Sequence, residues 1–180
     1  MVAAENAMKI WINTMTEDCH TVVEFGAGKF DKLLACSSTV TKLIGIERFR
    51  NSVKEAPENI VAIHGDMRRF ERFISIDDMN CALFCDSLEH LSRKDAFDLM
   101  DRVMSHFYKV LLIIPAGNHP QGKATDGNQY QAHLSTWMKE DVLALGFKDQ
   151  HIDYDPKFHS AYQHTEKDQG CIFAHWRDNE

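Results

Sequence analysis

Acidic side chains stand at the ends of successive apolar runs, and their spacing suits the recognition of a nucleoside. The run Thr21–Phe25 continues as Val22-Val23-Glu24-Phe25-Gly26-Ala27-Gly28, Leu43–Glu47 ends on an acid, and Ile60–His64 leads into Gly65-Asp66-Met67. Glycines at 26 and 28 permit a tight turn and bring backbone N–H groups close to a ligand. A helix beginning just beyond them, over Phe30–Cys36, would add an N-terminus that favours a carboxylate or phosphate. Two nearby glycines also build ordinary strand-to-helix turns, so the weight falls on the acids that follow. A carboxylate at the tip of the second strand can accept from both hydroxyls of a ribose. One after the third strand can accept from the exocyclic amine of adenine. A fourth run, Asn80–Cys85, ends in Asp86-Ser87-Leu88-Glu89-His90-Leu91.

The elements that must carry these residues are legible as alternating strands and helices. Continuous apolar stretches such as CALFC, and VLLII within Lys109–Ile114, mark strands buried on both faces, as in a parallel sheet covered by helices. Helices are predicted over Phe49–Ala56, Lys94–Phe107 and Lys139–Leu145 as well as Phe30–Cys36. In Lys94–Phe107 the apolar positions recur at helical spacing with charges between them. The alternation implies an α/β doubly wound fold. After Leu145-Gly146 the pattern changes: Phe147–Tyr154 and Gly170–Trp176 have no convincing helix between them and should pair antiparallel. Residues 1–20 read as a short amphipathic helical cap, with Met8, Ile10 or Trp11, Ile12 and Met15 inward.

Composition bounds the function. The 180 residues, 27 acidic and 20 basic side chains and net charge of −7 suit one soluble domain and argue against a broad nucleic-acid surface. Arg48, Arg50, Arg68, Arg69 and Arg72 read as a solvated face. Five cysteines without a C-x-x-C pair point to reduced thiols and a cytoplasmic protein. The chain carries no 20-residue apolar span and no secretory pattern. No H-E-x-x-H or zinc-spaced Cys/His cluster is present, so no metal is expected. His90 follows the fourth strand and is a candidate base, although a hydrogen-bonded structural role suits it better. The 116–135 stretch is long and polar, and we expect it to form a mobile substrate-side wall. Within it Tyr130, Gln131 and His133 are candidate substrate contacts, His133 also a candidate base; in an extended stretch Gln131 and His133 would face one way and Tyr130 the other.

Taken together, the motifs resemble those of the class I S-adenosylmethionine-dependent methyltransferases over roughly residues 20–150, with the terminal hairpin also matching. VVEFGAG is similar to the family's first motif, IGIE to the second, HGDM to the third, CALFCDSLEHL to the fourth and VLLIIPAG to the fifth strand. Asn128–Trp137 looks like a segment seen in many bacterial members. The resemblance implies a Rossmann-like seven-stranded sheet of order 3-2-1-4-5-7-6 with strand 7 antiparallel. It implies that Gly26, Ala27 and Gly28 bring the backbone to the cofactor and that Glu24 reaches its amino-acid end. Glu47 would hold the ribose and Arg48 flank the adenine. Asp66 would take the adenine amine beside Met67, and Asp86 and Ser87 would border the methionine moiety. One departure stands out: the family's third glycine is Phe30 here. Catechol-type members hold Mg²⁺ with an Asp-Asn pair after the fifth strand, where this chain reads Pro115-Ala116-Gly117-Asn118. The expected activity is methyl transfer from S-adenosylmethionine to a small-molecule acceptor, without metal. The alternatives are an acceptor that is protein or RNA, or a cofactor-binding protein without turnover. Asp66 and the terminal hairpin disfavour a nicotinamide oxidoreductase.

Overall fold

The computed structural model describes residues 2–119, 121–122, 127–155 and 170–178. Its strands are β1 (Thr21–Phe25), β2 (Lys42–Glu47), β3 (Val61–His64), β4 (Cys81–Cys85), β5 (Lys109–Pro115), β6 (Ile152–Asp155) and β7 (Cys171–Arg177). The helices are α1 (Val2–Met15), α2 (Arg50–Lys54), α3 (Arg93–His106) and α4 (Lys139–Ala144), with short 3-10 turns between elements. All seven strands form one sheet in the order β3-β2-β1-β4-β5-β7-β6. The pairs among β1 to β5 are parallel, and β7 runs antiparallel to both β5 and β6.

Strand alternation sends successive side chains into two cores, one on each face. Val23, Phe25, Ala82, Phe84, Val110, Leu112 and Ile114 face a core closed by Leu99, Met100 and Val103 of α3 and by Trp137. Val22, Cys81, Leu83, Cys85, Leu111 and Ile113 face the other, closed by Met8 and Ile12 of α1 with Phe30 and Leu33. Of the two expectations for α1, Trp11 packs inward and Ile10 is 66% exposed. Lys109, buried at the start of β5, ties α1 down through Met15 O at 2.5 Å and Asp18 Oδ1 at 2.8 Å.

The helix expected over Phe30–Cys36 is corrected to a 3-10 turn at Leu33–Ala35. Phe30 has φ 63°, a left-handed conformation that interrupts a right-handed helix and costs roughly 1–2 kcal/mol. Its ring is fully buried and lies against β2 at Gly45, where an added Cβ would stand 2.5 Å from Phe30 Cε1 and 2.9 Å from Ala27 Cβ. The absence of a side chain at Gly45 thus leaves the room that the Phe30 ring fills. Among the described residues, the turn after β1 leads into that 3-10 turn and not into an α-helix. The other helices are found close to their expected places: α2 is shorter than Phe49–Ala56, and α3 starts one residue earlier because Ser92 Oγ caps it by accepting from Asp95 N at 3.2 Å. In Phe147–Tyr154 the strand begins only at Ile152, behind a 3-10 turn at Asp149–His151. Most of the 155–168 loop lies outside the described residues.

Candidate functional site

The order of the sheet reverses between β1 and β4, and a crevice opens at the carboxyl ends of strands where such a reversal occurs. A cavity lies there, open to solvent at its mouth. Gly26, Glu47, Arg48, Asp66, Met67, Asp86, Ser87 and His90 line it from the strand tips. Residues of the 116–135 segment, including Asn128, Tyr130, Gln131 and Leu134, line the opposite side.

The turn after β1 is stitched to the tip of β2. Gly26 N and Ala27 N donate to Ile46 O at 2.9 and 3.1 Å. Gly26 has φ 78° and sits so close to β4 that a Cβ there would meet Ser87 Cβ at 2.8 Å. Space beside Gly28 (φ 53°) is open, with nothing within 4 Å of an added Cβ. Glu47 holds this arrangement: Oε2 accepts from Gly28 N at 2.9 Å and Oε1 from Phe49 N at 2.5 Å. Each carboxylate oxygen has a second acceptor site to spare.

Asp66 caps the 3-10 turn Met67–Arg72, accepting from Arg68 N at 3.0 Å and from the Arg68 guanidinium at 3.0 and 2.6 Å. That guanidinium holds the Asp66 carboxyl below the usual carboxylate range. Arg68 also reaches Asp95 of α3 at 2.9 Å, so it serves as an internal tie more than a free surface cation. Arg48 lies 3.7 Å from Asp66 Oδ2 and covers the Tyr130 ring at 4.3 Å from its centroid.

The polar groups buried at and near the cavity are poorly satisfied, Asp86 and Ser87 among its lining. Glu24 Oε2, Asp86 Oδ1, Ser87 Oγ and both oxygens of Glu89 are buried without a hydrogen-bond partner among the described residues. Burial pushes the Asp86 carboxyl up to about 6 and Glu24 well above its ordinary range, against the pull of the Lys32 ammonium in both cases. Asp86 also carries a left-handed backbone, φ 48°, and its N–H donates to Ile113 O at 3.0 Å, continuing the β4–β5 ladder.

His90 lines the cavity, its Nδ1 3.2 Å from Ala132 O, and burial lowers its pKa. His133 does not line it. A 3-10 turn at Gln129–Gln131, started by Asn128 Oδ1 accepting from Tyr130 N at 3.0 Å, replaces the expected extended stretch. Tyr130 and Gln131 therefore both face the cavity, and His133 turns behind it. There its Nδ1 is 2.5 Å from His119 O and its Nε2 is 3.9 Å from Glu89 Oε1. Burial, with His90 close by, pushes the His133 pKa down to about 4. Glu24, Ala27 and Gly28 also lie off the cavity lining. The expected mobile wall is tied down over its described C-terminal part. Leu134 N and Ser135 N donate to Glu89 O at 2.8 and 3.1 Å, and Trp137 Nε1 donates to Ser135 Oγ at 2.9 Å.

Sequence reasoning did not single out Leu134 or the buried carboxylate of Glu89 as site residues. For Glu89 a signal existed: an acid directly before a histidine, just past a strand tip.

No protein-family model matches the chain, and no curated protein sequence matches it. Solved structures do. The mitomycin 7-O-methyltransferase MmcR superposes with a TM-score of 0.60 at 13% identity, over 98% of this chain and 54% of that one. The N-terminal domain of EvdMO1 with SAH bound gives 0.61 at 13% identity, over 97% of this chain and 80% of that one. The small RNA methyltransferase HEN1 gives 0.60 at 18% identity, over 99% of this chain and 25% of that one. The chain thus spans about half the length of MmcR and a quarter of HEN1. With its seven strands in the same order and β7 antiparallel, the chain has the fold of the S-adenosylmethionine-dependent methyltransferases.

Proposed function

We propose that the protein is a single-domain cytoplasmic enzyme that transfers a methyl group from S-adenosylmethionine to a small-molecule acceptor. The observation that carries this reading is the buried Asp86 carboxyl and Ser87 hydroxyl, without partners among the described residues, in the lining of an open cavity at the β1–β4 crevice. Buried carboxylates without partners are costly, and a ligand bearing an ammonium and a sulfonium offsets that cost. The residues present fit such a ligand. Asp86 and Ser87 border its methionine end, with Glu24 acting on the amino-acid group. Glu47, already fixed by two backbone N–H groups, offers its remaining lone pairs to ribose hydroxyls. Asp66 and Arg48 flank the adenine, and the open space beside Gly28 admits the ligand against the backbone.

S-adenosylmethionine, when bound, supplies a methyl group on a good leaving group, so the protein's task is mainly alignment. As the acceptor's lone pair forms the new bond, the C–S pair returns to sulfur, and any acceptor proton passes to solvent. Tyr130, Gln131 and Asn128 form the polar wall that orients the acceptor, while exposed Leu134 gives it an apolar lip. The net charge of −7 favours a small acceptor over RNA. No helix among the described residues is long and apolar enough to cross a membrane. Calorimetry with S-adenosylmethionine and S-adenosylhomocysteine tests the cofactor, followed by a labelled-methyl screen over small hydroxyl and amine acceptors, with RNA as a separate arm. Absence of binding to either compound overturns the proposal; methylation of RNA alone overturns its acceptor class.

A further inference from the structure

We propose that Glu89, His90 and His133 form a binding site for one first-row divalent metal ion, of the series from Mn²⁺ to Zn²⁺, in the wall of the cavity. One donor atom from each of the three residues can be chosen so that all lie within 4.8 Å of one another. The residues come from two separate parts of the chain: Glu89 and His90 from the turn after β4, and His133 from the segment after β5. They are brought together by the Glu89 carbonyl, which accepts from Leu134 N and Ser135 N.

The independent sign of a ligand is Glu89 itself. The residue is 2% exposed, and neither carboxylate oxygen has a hydrogen-bond partner among the described residues. A buried carboxylate is normally paired, hydrogen-bonded or bound to metal.

His133 is oriented as a ligand. A carbonyl oxygen only accepts, so the 2.5 Å contact between His133 Nδ1 and His119 O places the ring proton on Nδ1. Nε2 then turns a lone pair toward Glu89 Oε1, 3.9 Å away, too far for a hydrogen bond and mutually repulsive unless a cation lies between. An outer carbonyl that fixes the tautomer of a metal-bound histidine is the usual supporting arrangement. Two ligands each about 2.1 Å from an ion stand roughly 3.0–3.4 Å apart at tetrahedral or octahedral angles, so a contraction of about half an ångström brings His133 and Glu89 to ligand spacing. His90 Nδ1 is likewise 3.2 Å from a carbonyl, that of Ala132.

The donor set selects the ion. Two imidazoles and one carboxylate suit Mn²⁺, Fe²⁺, Co²⁺ or Zn²⁺, whereas Mg²⁺ and Ca²⁺ prefer oxygen throughout. This replaces the expectation that no metal is needed, which rested on the lack of a zinc-spaced Cys/His cluster and of a cluster of oxygen ligands after β4 and β5. Three protein ligands leave coordination positions open, and His90 lines the cavity. On the methyltransferase reading, the acceptor is then a hydroxyl or phenol, whose oxygen loses its proton more readily beside a metal ion.

The test uses protein stripped of metal and titrated with Co²⁺, Mn²⁺, Zn²⁺ or Mg²⁺ alone, followed by calorimetry, by the visible absorption of Co²⁺ and by melting temperature. One equivalent of Co²⁺ should bind, with a visible band and a raised melting temperature, and Mg²⁺ should bind far more weakly. Glu89→Gln, which keeps the side-chain shape, and His133→Ala should each weaken Co²⁺ binding on the order of 100-fold, the upper end of what loss of even an outer partner costs. Circular dichroism confirms that each variant is folded, and the shape-conserving variant carries the test if His133→Ala unfolds. No Co²⁺ binding at millimolar ion, or undiminished binding by folded Glu89→Gln, overturns the site. S-adenosylhomocysteine binding, measured on the same metal-free protein, fails only if the cofactor reading is wrong.

Discussion

Phe30 and Gly45 should behave as one exchanged pair, and a double-mutant cycle measures the exchange. Gly45→Ala places a methyl 2.5 and 2.6 Å from two Phe30 ring atoms and 2.9 Å from Ala27 Cβ. Neither neighbour yields easily, because the ring is fully buried and Ala27 belongs to the turn that Glu47 pins. Overpacking of this kind costs about 1–3 kcal/mol, and the contacts put this case at the upper end. Phe30→Gly removes a buried aromatic ring, worth about 3–5 kcal/mol. It also relieves a left-handed backbone at φ 63°, returning roughly 1 kcal/mol, most of which the added freedom of glycine in the unfolded chain takes back. In the Phe30→Gly background the methyl introduced by Gly45→Ala loses its clash with the ring and keeps only the 2.9 Å approach to Ala27 Cβ, so the second substitution should cost much less. The expected coupling is therefore about 2 kcal/mol in favour of the double variant. Urea unfolding of the four proteins, at constant m-value, gives each corner of the cycle. Costs that add to within about 0.5 kcal/mol would refute the exchange and leave Phe30 as an ordinary core aromatic.

Glu47→Ala should weaken S-adenosylhomocysteine binding at least about 30-fold and also destabilise the protein by about 2 kcal/mol, because two charge-assisted bonds to Gly28 N and Phe49 N vanish. A ligand role alone would leave the melting temperature unchanged, so calorimetry and thermal melting together decide. For Asp86 the sign follows from burial: its carboxyl rises from 3.8 to about 6 on folding, so between those values the native state holds the extra proton. Stability of the cofactor-free protein should then fall as pH rises from about 4 to 6, by about 3 kcal/mol, and Asp86→Asn should flatten that slope in denaturant titrations. Because a cationic cofactor favours the ionised carboxylate, its affinity should rise with pH across the same interval. A pH-independent binding constant there would exclude Asp86 from the cofactor's charge balance.

The sheet was legible because its signals are local. CALFC and VLLII have no polar face, and only a strand covered on both sides uses such a run. The carboxylates of Glu47 and Asp66 could be placed at the cavity because strand tips in a parallel sheet share one edge. The helix after β1 was not legible, since nothing near Phe30 reveals a left-handed backbone; the compensating glycine is on β2. Glu89 was passed over for a similar reason. Its place past a strand tip and before a histidine was visible, but its burial is imposed by a distant segment, which docks through backbone N–H groups that carry no side-chain signature. His133 faces behind the cavity because one 3-10 turn, too short to leave a periodic pattern, rotates the chain just before it.

β7 follows every other strand in sequence yet lies inside the sheet, between β5 and β6. Its seven residues pair with β5 from Lys109↔Arg177 to Pro115↔Cys171. A nascent chain that has released β5 therefore carries a strand apolar from Val110 onward with one edge unpaired, the kind of edge on which aggregation starts. Roughly 60 more residues must be added before that edge closes, which at ribosomal rates takes about 3–12 s. β6 leaves the ribosome first and has no strand to join until β7 arrives, so the final third of the molecule assembles in one late step. Expression yield should accordingly be governed by the interval between β5 and β7, and slowed translation through that interval should send more of the chain to chaperones or inclusion bodies.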